Sequence, residues 1–344
     1  MLYPLTFQPI FKERVWGGRN LERLYQKSLP PNVSIGESWE ITHRPEGTSV
    51  IANGPLAGKN LRWLMEHHAG ELLGPAGSQG GRFPLLVKIL DAEEKLSLQV
   101  HPPADVAARL GGEPKTEMWY IADAQPGAEL YVGLRRGVTR LEFERKIQDG
   151  TVADCFHRLR VMPGDVMFLP SGRVHAIGAG LVIFEIQQNS DTTYRVFDWN
   201  RLGLDGQPRE LHVEQSLQCI DFSDFEPALT KGEIQYSERD EFQLRVLVDD
   251  PLFTVEQVVD RKGHPIEIRH SQPEIIGVLE GCLTATGSDE QVTLRAGHFC
   301  LKPACVERMN LTFRPPVSFL QIRPNDRSRP QSKEATPSDS PARS

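Results

Sequence analysis

An all-β architecture of two barrel-like halves, with a small helical insertion in the first, is the fold class that the sequence predicts. Three observations carry it. Short runs rich in β-branched and aromatic residues recur along the chain, among them FPLLVKIL, LSLQVH, MWYIADA, DVMFLP, LVIFEIQ, FTVEQVV, EIIGVLEG and VTLRAGHFCL. Its 26 Pro, together with 29 Gly, punctuate those runs, so that strand signals alternate with turn signals at short spacing. Finally, Gly164-Asp-Val-Met-Phe-Leu-Pro170 and Gly297-His-Phe-Cys-Leu-Lys-Pro303 are each a glycine, five residues and a proline following a stretch of strands, which predicts one β-barrel of the same kind in each half.

Taken in order, the chain of 344 residues is more than twice the roughly 150 residues of an average domain, so two units are expected. The first is placed at residues 1–215. Within it, over residues 56–82, Leu61, Leu64, Met65, Leu72 and Leu73 follow helical spacing before Arg82, and a second helical patch covers Leu141 to Ile147. The second unit is placed at residues 216–323. From Pro324 the sequence PNDRSRPQSKEATPSDSPARS has almost no apolar residue to offset its ordering entropy, so 324–344 is expected to be a disordered tail.

Composition narrows the function classes. Hydrophobic residues at 39% and charged residues at 25% suit an ordinary packed domain. With 39 Lys+Arg against 46 Asp+Glu the net charge is −7, which argues against a surface built to neutralise nucleic acid or an anionic membrane. An anionic ligand must therefore meet a local basic cluster. No stretch approaches the roughly 18 to 20 apolar residues of a membrane span, and the opening MLYPLTFQPIFKERVWGG lacks the regions of a signal peptide, so a cytoplasmic location is expected. The five cysteines are odd in number and without CxxC spacing; reduced, buried thiols are expected.

The segment GDVMFLPSGRVH, Gly164 to His175, fits G-x5-P-x-G-x2-H and resembles the second motif of the cupins, in which a strand, a Pro/Gly turn and a further strand aim a histidine into a barrel at a metal. In place of the H-x-H of the first cupin motif stands Gln99-Val-His101, with Glu117 after the segment PPADVAARLGGEPKT. A strand repeats its side-chain direction every second residue, so Gln99 and His101 can enter one cavity together. Two imidazoles, a carboxylate and an amide oxygen form a mixed N/O set that suits Zn²⁺ and is tolerated by Fe²⁺, Mn²⁺ or Co²⁺. The resemblance implies two jelly-roll barrels, a double cupin.

The resemblance sharpens through Val15-Trp16-Gly17-Gly18, Glu37-Ser38-Trp39-Glu40, Pro84-Leu-Leu-Val-Lys88, Leu96 to Pro102, Lys115 to Tyr120, Pro170 to His175 and Gln188 to Arg195. These run in the order of the type I mannose-6-phosphate isomerases, and the chain resembles their short form over nearly all of its first 200 residues. The resemblance implies that Gln99, His101, Glu117 and His175 bind one Zn²⁺ per chain, and that Trp16, Ser97, Lys88 and Lys115 surround a sugar. It places Glu185, Asp191 and Arg195 on the opposite wall, with Arg195 most tied to catalysis and Arg201, six residues on, helping to hold a phosphate. The implied reaction interconverts D-mannose 6-phosphate and D-fructose 6-phosphate through an enediol(ate), and the implied partner is a small phosphosugar, with no nucleic acid or membrane and a monomer or weak homo-oligomer as the assembly.

Those residue types suit that chemistry. Moving a carbonyl between C1 and C2 needs a base for a weakly acidic C–H and positive groups for the oxyanion. Lys115 would share a strand face with Glu117; Asp191, His101 and Glu185 are rival bases. In the second half His270-x3-Glu274-x6-Gly281 fits the later part of the first cupin motif, but Ile268 and Arg308 fall where further ligands would stand, so no metal is expected there. Other readings are a cupin acting on another phosphorylated sugar, a non-catalytic sugar-binding cupin, or a non-haem metal oxygenase; Gln99 and the retained Asp191, Arg195, Lys88 and Lys115 speak against the last two.

Overall fold

A computed structural model describes residues 2–74, 81–236 and 242–325. The all-β expectation holds. In the first half, a six-stranded sheet runs in spatial order Val166–Leu169, Glu117–Ala124, Leu181–Gln188, Leu85–Ala92, Ile10–Gly18 and Ile35–Ile41. A five-stranded sheet runs Phe156–Arg160, Glu129–Leu134, His175–Ile177, Leu98–Val100 and Tyr194–Phe197. Their inner faces share one core: Leu90, Trp119 and Ile183 from the first sheet meet Leu130, Val132 and Ile177 from the second.

The two-residue period of a strand decides what else the outer faces bury. Val87, Ile89, Met118, Phe184 and Ile186 point out of the barrel and pack against Phe253, Val255, Leu320 and Ile322 of the second half, in a core that also takes Leu61, Leu64 and Leu72 from the insertion. The two halves therefore stand back to back. On the far side, Leu98, Val100 and Val196 cover Phe143 of the helix Arg140–Gln148 and Cys219 of the helix Val213–Cys219. The expected boundary between 215 and 216 falls inside that last helix, which packs on the first barrel.

The insertion forms helices Leu61–His67 and Ala69–Leu73, the first capped by Asn60, whose Oδ1 accepts the Trp63 N–H at 2.8 Å. Residues 75–80 of the expected insertion lie outside the described residues. The second half pairs a sheet in the order Glu233–Tyr236, Gln243–Asp249, Phe253–Asp260, Val317–Pro324, Glu274–Glu280 and Phe299–Lys302 with one in the order Ile266–Arg269, Arg308–Phe313, Cys282–Gly287 and Glu290–Arg295.

The repeated glycine-to-proline segments occupy matching places. Val166–Leu169 and Phe299–Lys302 are each the edge strand of a six-stranded sheet, bonded to the strand that begins with Glu117 in one half and with Glu274 in the other. Of the segment expected to be a tail, Pro324 ends the last strand and Asn325 donates from Nδ2 to the Thr254 hydroxyl at 2.8 Å; residues 326–344 lie outside the described residues. All five cysteines are free, but only Cys155, Cys219 and Cys300 are buried: Cys305 is half-buried, and Cys282 is exposed because the strand Cys282–Gly287 turns its even-numbered positions outward. Among the described residues no helix is long and apolar enough to cross a membrane.

Candidate active site

The alternation that fills the first barrel also delivers its polar groups. Lys88 shares the inward face with Leu90 and Ala92, Glu117 with Trp119 and Ile121, and Glu185 with Ile183. From the facing sheet come Gln99, between the outward Leu98 and Val100, and Arg195, between the outward Tyr194 and Val196; these two are partners across one ladder, and Gln99 also pairs with His175. The turn before His175 uses its glycine: Gly172 has φ +94°, and its N–H donates to the His101 carbonyl at 2.9 Å, tying the two histidine segments together.

His101, Glu117 and His175 converge, with donor atoms all within 4.8 Å of one another and each residue buried. His101 Nε2 is 3.4 Å from Glu117 Oε2, and His175 Nε2 is 3.5 Å from Oε1. Both Nδ1 atoms face carbonyls, Thr192 at 2.8 Å and Arg173 at 2.9 Å, so each Nδ1–H is spent on backbone and each Nε2 presents its lone pair to the cluster. The Gln99 amide nitrogen lies 3.3 Å from His175 Nε2, while its oxygen accepts from Ser97 Oγ at 3.3 Å.

This donor set fits a zinc ion. Both Glu117 oxygens are buried with no hydrogen-bond partner, which a carboxylate tolerates only beside positive charge. Burial would raise its carboxyl, but the Lys115 ammonium beside it outweighs burial and holds it well below the usual range. Burial lowers both histidines, His175 to about 3, so both imidazoles are neutral at neutral pH, the form a metal ligand takes. Lys115 Nζ lies 2.8 Å from Glu117 Oε2 and 3.3 Å from His101 Nε2.

Beside the cluster opens a cavity of about 570 Å³, lined by Trp16, Ser97, Gln99, Lys88, Lys115, Glu185, Asp191 and Arg195. Lys88 is its hub, with Nζ 3.4 Å from Glu185, 3.5 Å from Asp191 and 3.6 Å from Glu37. Burial alone would discharge it, yet these carboxylates raise its pKa above that of an ordinary lysine, so Lys88 stays protonated at neutral pH. Glu185 also accepts from Trp119 Nε1 at 2.9 Å.

Arg201 does not line this cavity. Its guanidinium turns to Asp198, at 2.8 Å from Nη2, and to the Lys95 carbonyl. Arg209 lines the wall instead. Arg14 and Glu37 were also missed from sequence; they meet at 2.7 Å, and Trp39 Nε1 donates to Glu37 at 2.6 Å. Arg14 carried a signal, since it stands two residues before Trp16 and so on the same strand face. A Cβ on Gly36 would fall 2.7 Å from the Trp16 ring and 2.6 Å from Arg14 Cβ, so that glycine makes room for both.

Comparison with known proteins agrees with this geometry. The family described as phosphomannose isomerase type I, catalytic domain, matches residues 5–127. A mannose-6-phosphate isomerase of Bacillus subtilis, ManA, is 44% identical over 220 residues, 63% of this chain and 68% of that protein. One from Streptococcus mutans is 35% identical over 309 residues, 89% of this chain and 94% of that protein. The crystal structure of the mannose 6-phosphate isomerase from B. subtilis superposes with a TM-score of 0.84 at 32% identity, covering 94% of this chain and 100% of the other. With the fold shared end to end and the sequence shared over nearly the whole of such a relative, the chain belongs to the type I phosphomannose isomerases, a family of isomerase enzymes.

Proposed function

We propose that the protein interconverts D-mannose 6-phosphate and D-fructose 6-phosphate, with one Zn²⁺ held by Gln99, His101, Glu117 and His175, and that the first half does this chemistry while the second supports it. The observation that carries the reading is a buried His–Glu–His cluster, its Nε2 lone pairs turned inward, opening directly onto a cavity with Lys88, Lys115, Glu185, Asp191 and Arg195 in its walls. Relatives that bear the name of this activity support it.

The reaction removes the C2 proton of the open-chain aldose and returns a proton to C1, with a proton passing from O2 to O1, through an enediol(ate). A bound zinc ion supplies Lewis acidity toward the substrate oxygens. Lys88, kept charged by its carboxylates, serves as a hydrogen-bond donor to the developing oxyanion rather than as a base. Arg195 adds a second positive group on the facing strand. Lys115, Glu185 and Asp191 are the candidates for moving the proton, since His101 has Nδ1 committed to a carbonyl and Nε2 to the cluster. Trp16 and Ser97 form the wall against which the sugar lies.

A coupled assay on purified, zinc-loaded protein tests the reading. Isomerisation of mannose 6-phosphate that disappears on metal removal and returns with zinc is the expected result; no turnover above the metal-stripped control would refute the substrate assignment.

A further inference from the structure

We propose that Arg209, together with Arg195, binds the phosphate group of the substrate, and that Asp198 is the residue that positions Arg209 for it. The inference rests on the phosphosugar reading above and deepens it, because that reading leaves open which cations meet the anion.

Three arginines converge near Asp198, and their donors are spent differently. Arg201 has all three nitrogens engaged: Nε at 3.1 Å and Nη2 at 2.8 Å from Asp198 Oδ1, and Nη1 at 2.5 Å from the Lys95 carbonyl. Arg209 holds Asp198 in a two-pronged contact, Nε to Oδ2 and Nη2 to Oδ1, both at 2.6 Å. Its Nη1 makes no hydrogen bond among the described residues, and its side chain borders the cavity. Arg195 donates from Nη1 to the Glu210 carbonyl at 2.6 Å, while its buried Nε has no partner. A buried N–H of a charged group left unpaired is costly unless something else fills the position.

The charges agree. Asp198, almost fully buried, is shared by Arg201 and Arg209, and Arg201 also has the exposed Glu94 at 4.0 Å, whereas Arg195 has no carboxylate within ion-pair distance among the described residues. Burial and the neighbouring Arg209 depress the pKa of Arg195, the mark of like charges held together without a full set of counter-ions. A phosphate brings two negative charges and oxygens spaced for a guanidinium fork, which makes it the anion this corner fits. Arg195 stands opposite Gln99 in the ladder, so one arginine borders both the metal-type cluster and the Asp198 corner.

The test is steady-state kinetics with mannose 6-phosphate, joined to thermal unfolding of the metal-stripped protein with and without inorganic phosphate. Arg209→Met should raise KM about tenfold or more while kcat stays within about twofold, as expected when binding shared by ground and transition state is lost. Arg209→Lys should recover part of the loss, since it keeps the charge and not the fork. Phosphate should raise the Tm of the wild type and not that of Arg209→Met. The proposal is overturned if Arg209→Met retains both KM and the phosphate-dependent Tm, or if these losses appear in Arg201→Met instead. Should Arg209→Met fail to fold, Arg209→Lys decides, with a KM within experimental error of wild type counting against the proposal. A wild type inactive on mannose 6-phosphate would sink the proposed reaction but leave the phosphate-dependent Tm to judge Arg209.

Discussion

Replacing Lys88 by Met tests whether one buried cation holds the carboxylate cluster together. The ammonium, 4% exposed as a side chain, stands 3.4 to 3.6 Å from Glu185, Asp191 and Glu37. At such separations each pair is worth about 5 kcal/mol gross at an effective dielectric constant of about 20. Desolvation cancels much of this, and Asp191, 36% exposed, contributes least. Among the described cations Glu37 keeps Arg14 at 2.7 Å and Glu185 keeps only Lys115 at 4.0 Å, so the loss of Lys88 should cost about 3 kcal/mol, the lower end for a broken buried pair, in urea unfolding near pH 7.5. The loss must also depend on pH. Burial pushes the Glu37 carboxyl up, but Lys88 and Arg14 outweigh it and bring it to about 2. A folded value below the unfolded value of about 4.3 stabilises above pH 4.3 and is lost as pH falls through 2, a contribution of about 3 kcal/mol. Without Lys88, burial weighs more heavily on Glu37, its carboxyl takes up a proton at higher pH, and the penalty of the substitution should shrink below about pH 5. A loss under about 1 kcal/mol, or one equal at pH 7.5 and 4.5, would refute the assignment of Lys88 as their counter-ion.

The metal and the proton chemistry should separate by mutation: His175→Ala lowers both bound zinc and activity, whereas Arg195→Ala keeps zinc and loses activity, and equal zinc loss in both would contradict the division. Metal-free protein should lose stability in mild acid. His101 and His175 have folded pKa values pressed below the unfolded value of about 6.5, so the stability they lend is whole above pH 6.5 and is lost as pH falls toward the folded value, about 3 for His175; Tm from pH 7 to 5 reads this, and a flat profile counts against it. Asp224→Ala frees Arg173, which it grips at 2.8 Å through two nitrogens and whose carbonyl orients His175, so zinc affinity should fall about tenfold in a chelator competition.

Regular backbone is where the sequence was legible. On a strand, knowing that Leu90 and Ala92 face inward places Lys88, and knowing that Leu98 and Val100 face outward places Gln99. The Pro170 to His175 turn was legible for a different reason, because its glycine position demands a positive φ. That Arg209 and not Arg201 borders the cavity was not. Both lie beyond Tyr194–Phe197 in a segment with no period, which opens with Trp199 and Asn200 at φ +57° and +55°, so spacing from Arg195 carries no directional information there. Glu37 was hidden for want of contrast: every residue of Ile35–Ile41 is buried, on both faces, so no alternation separates its cavity side from its packing side.

The two halves solve one electrostatic problem in two ways. Glu117 is bonded in register to Leu169, just before Pro170, and Glu274 to Lys302, just before Pro303; both glutamates are fully buried, so each carboxylate is cut off from water. A carboxylate so placed needs positive charge nearby. In the second half the chain supplies it, with Arg323 at 3.9 Å and Lys302 on the adjoining strand, fully buried, its ammonium fixed to the carbonyls of His270 and Gln272 at 2.8 and 3.0 Å, while His270 Nε2 closes over Glu274 at 2.5 Å. In the first half Leu169 stands at the lysine's place, and the groups turned to Glu117 are two neutral imidazoles and Lys115, which also borders the cavity. A carboxylate compensated by fixed side chains is closed to an exchangeable cation, whereas one faced by lone pairs and a cavity is open to it, and that difference supports assigning the chemistry to the first half.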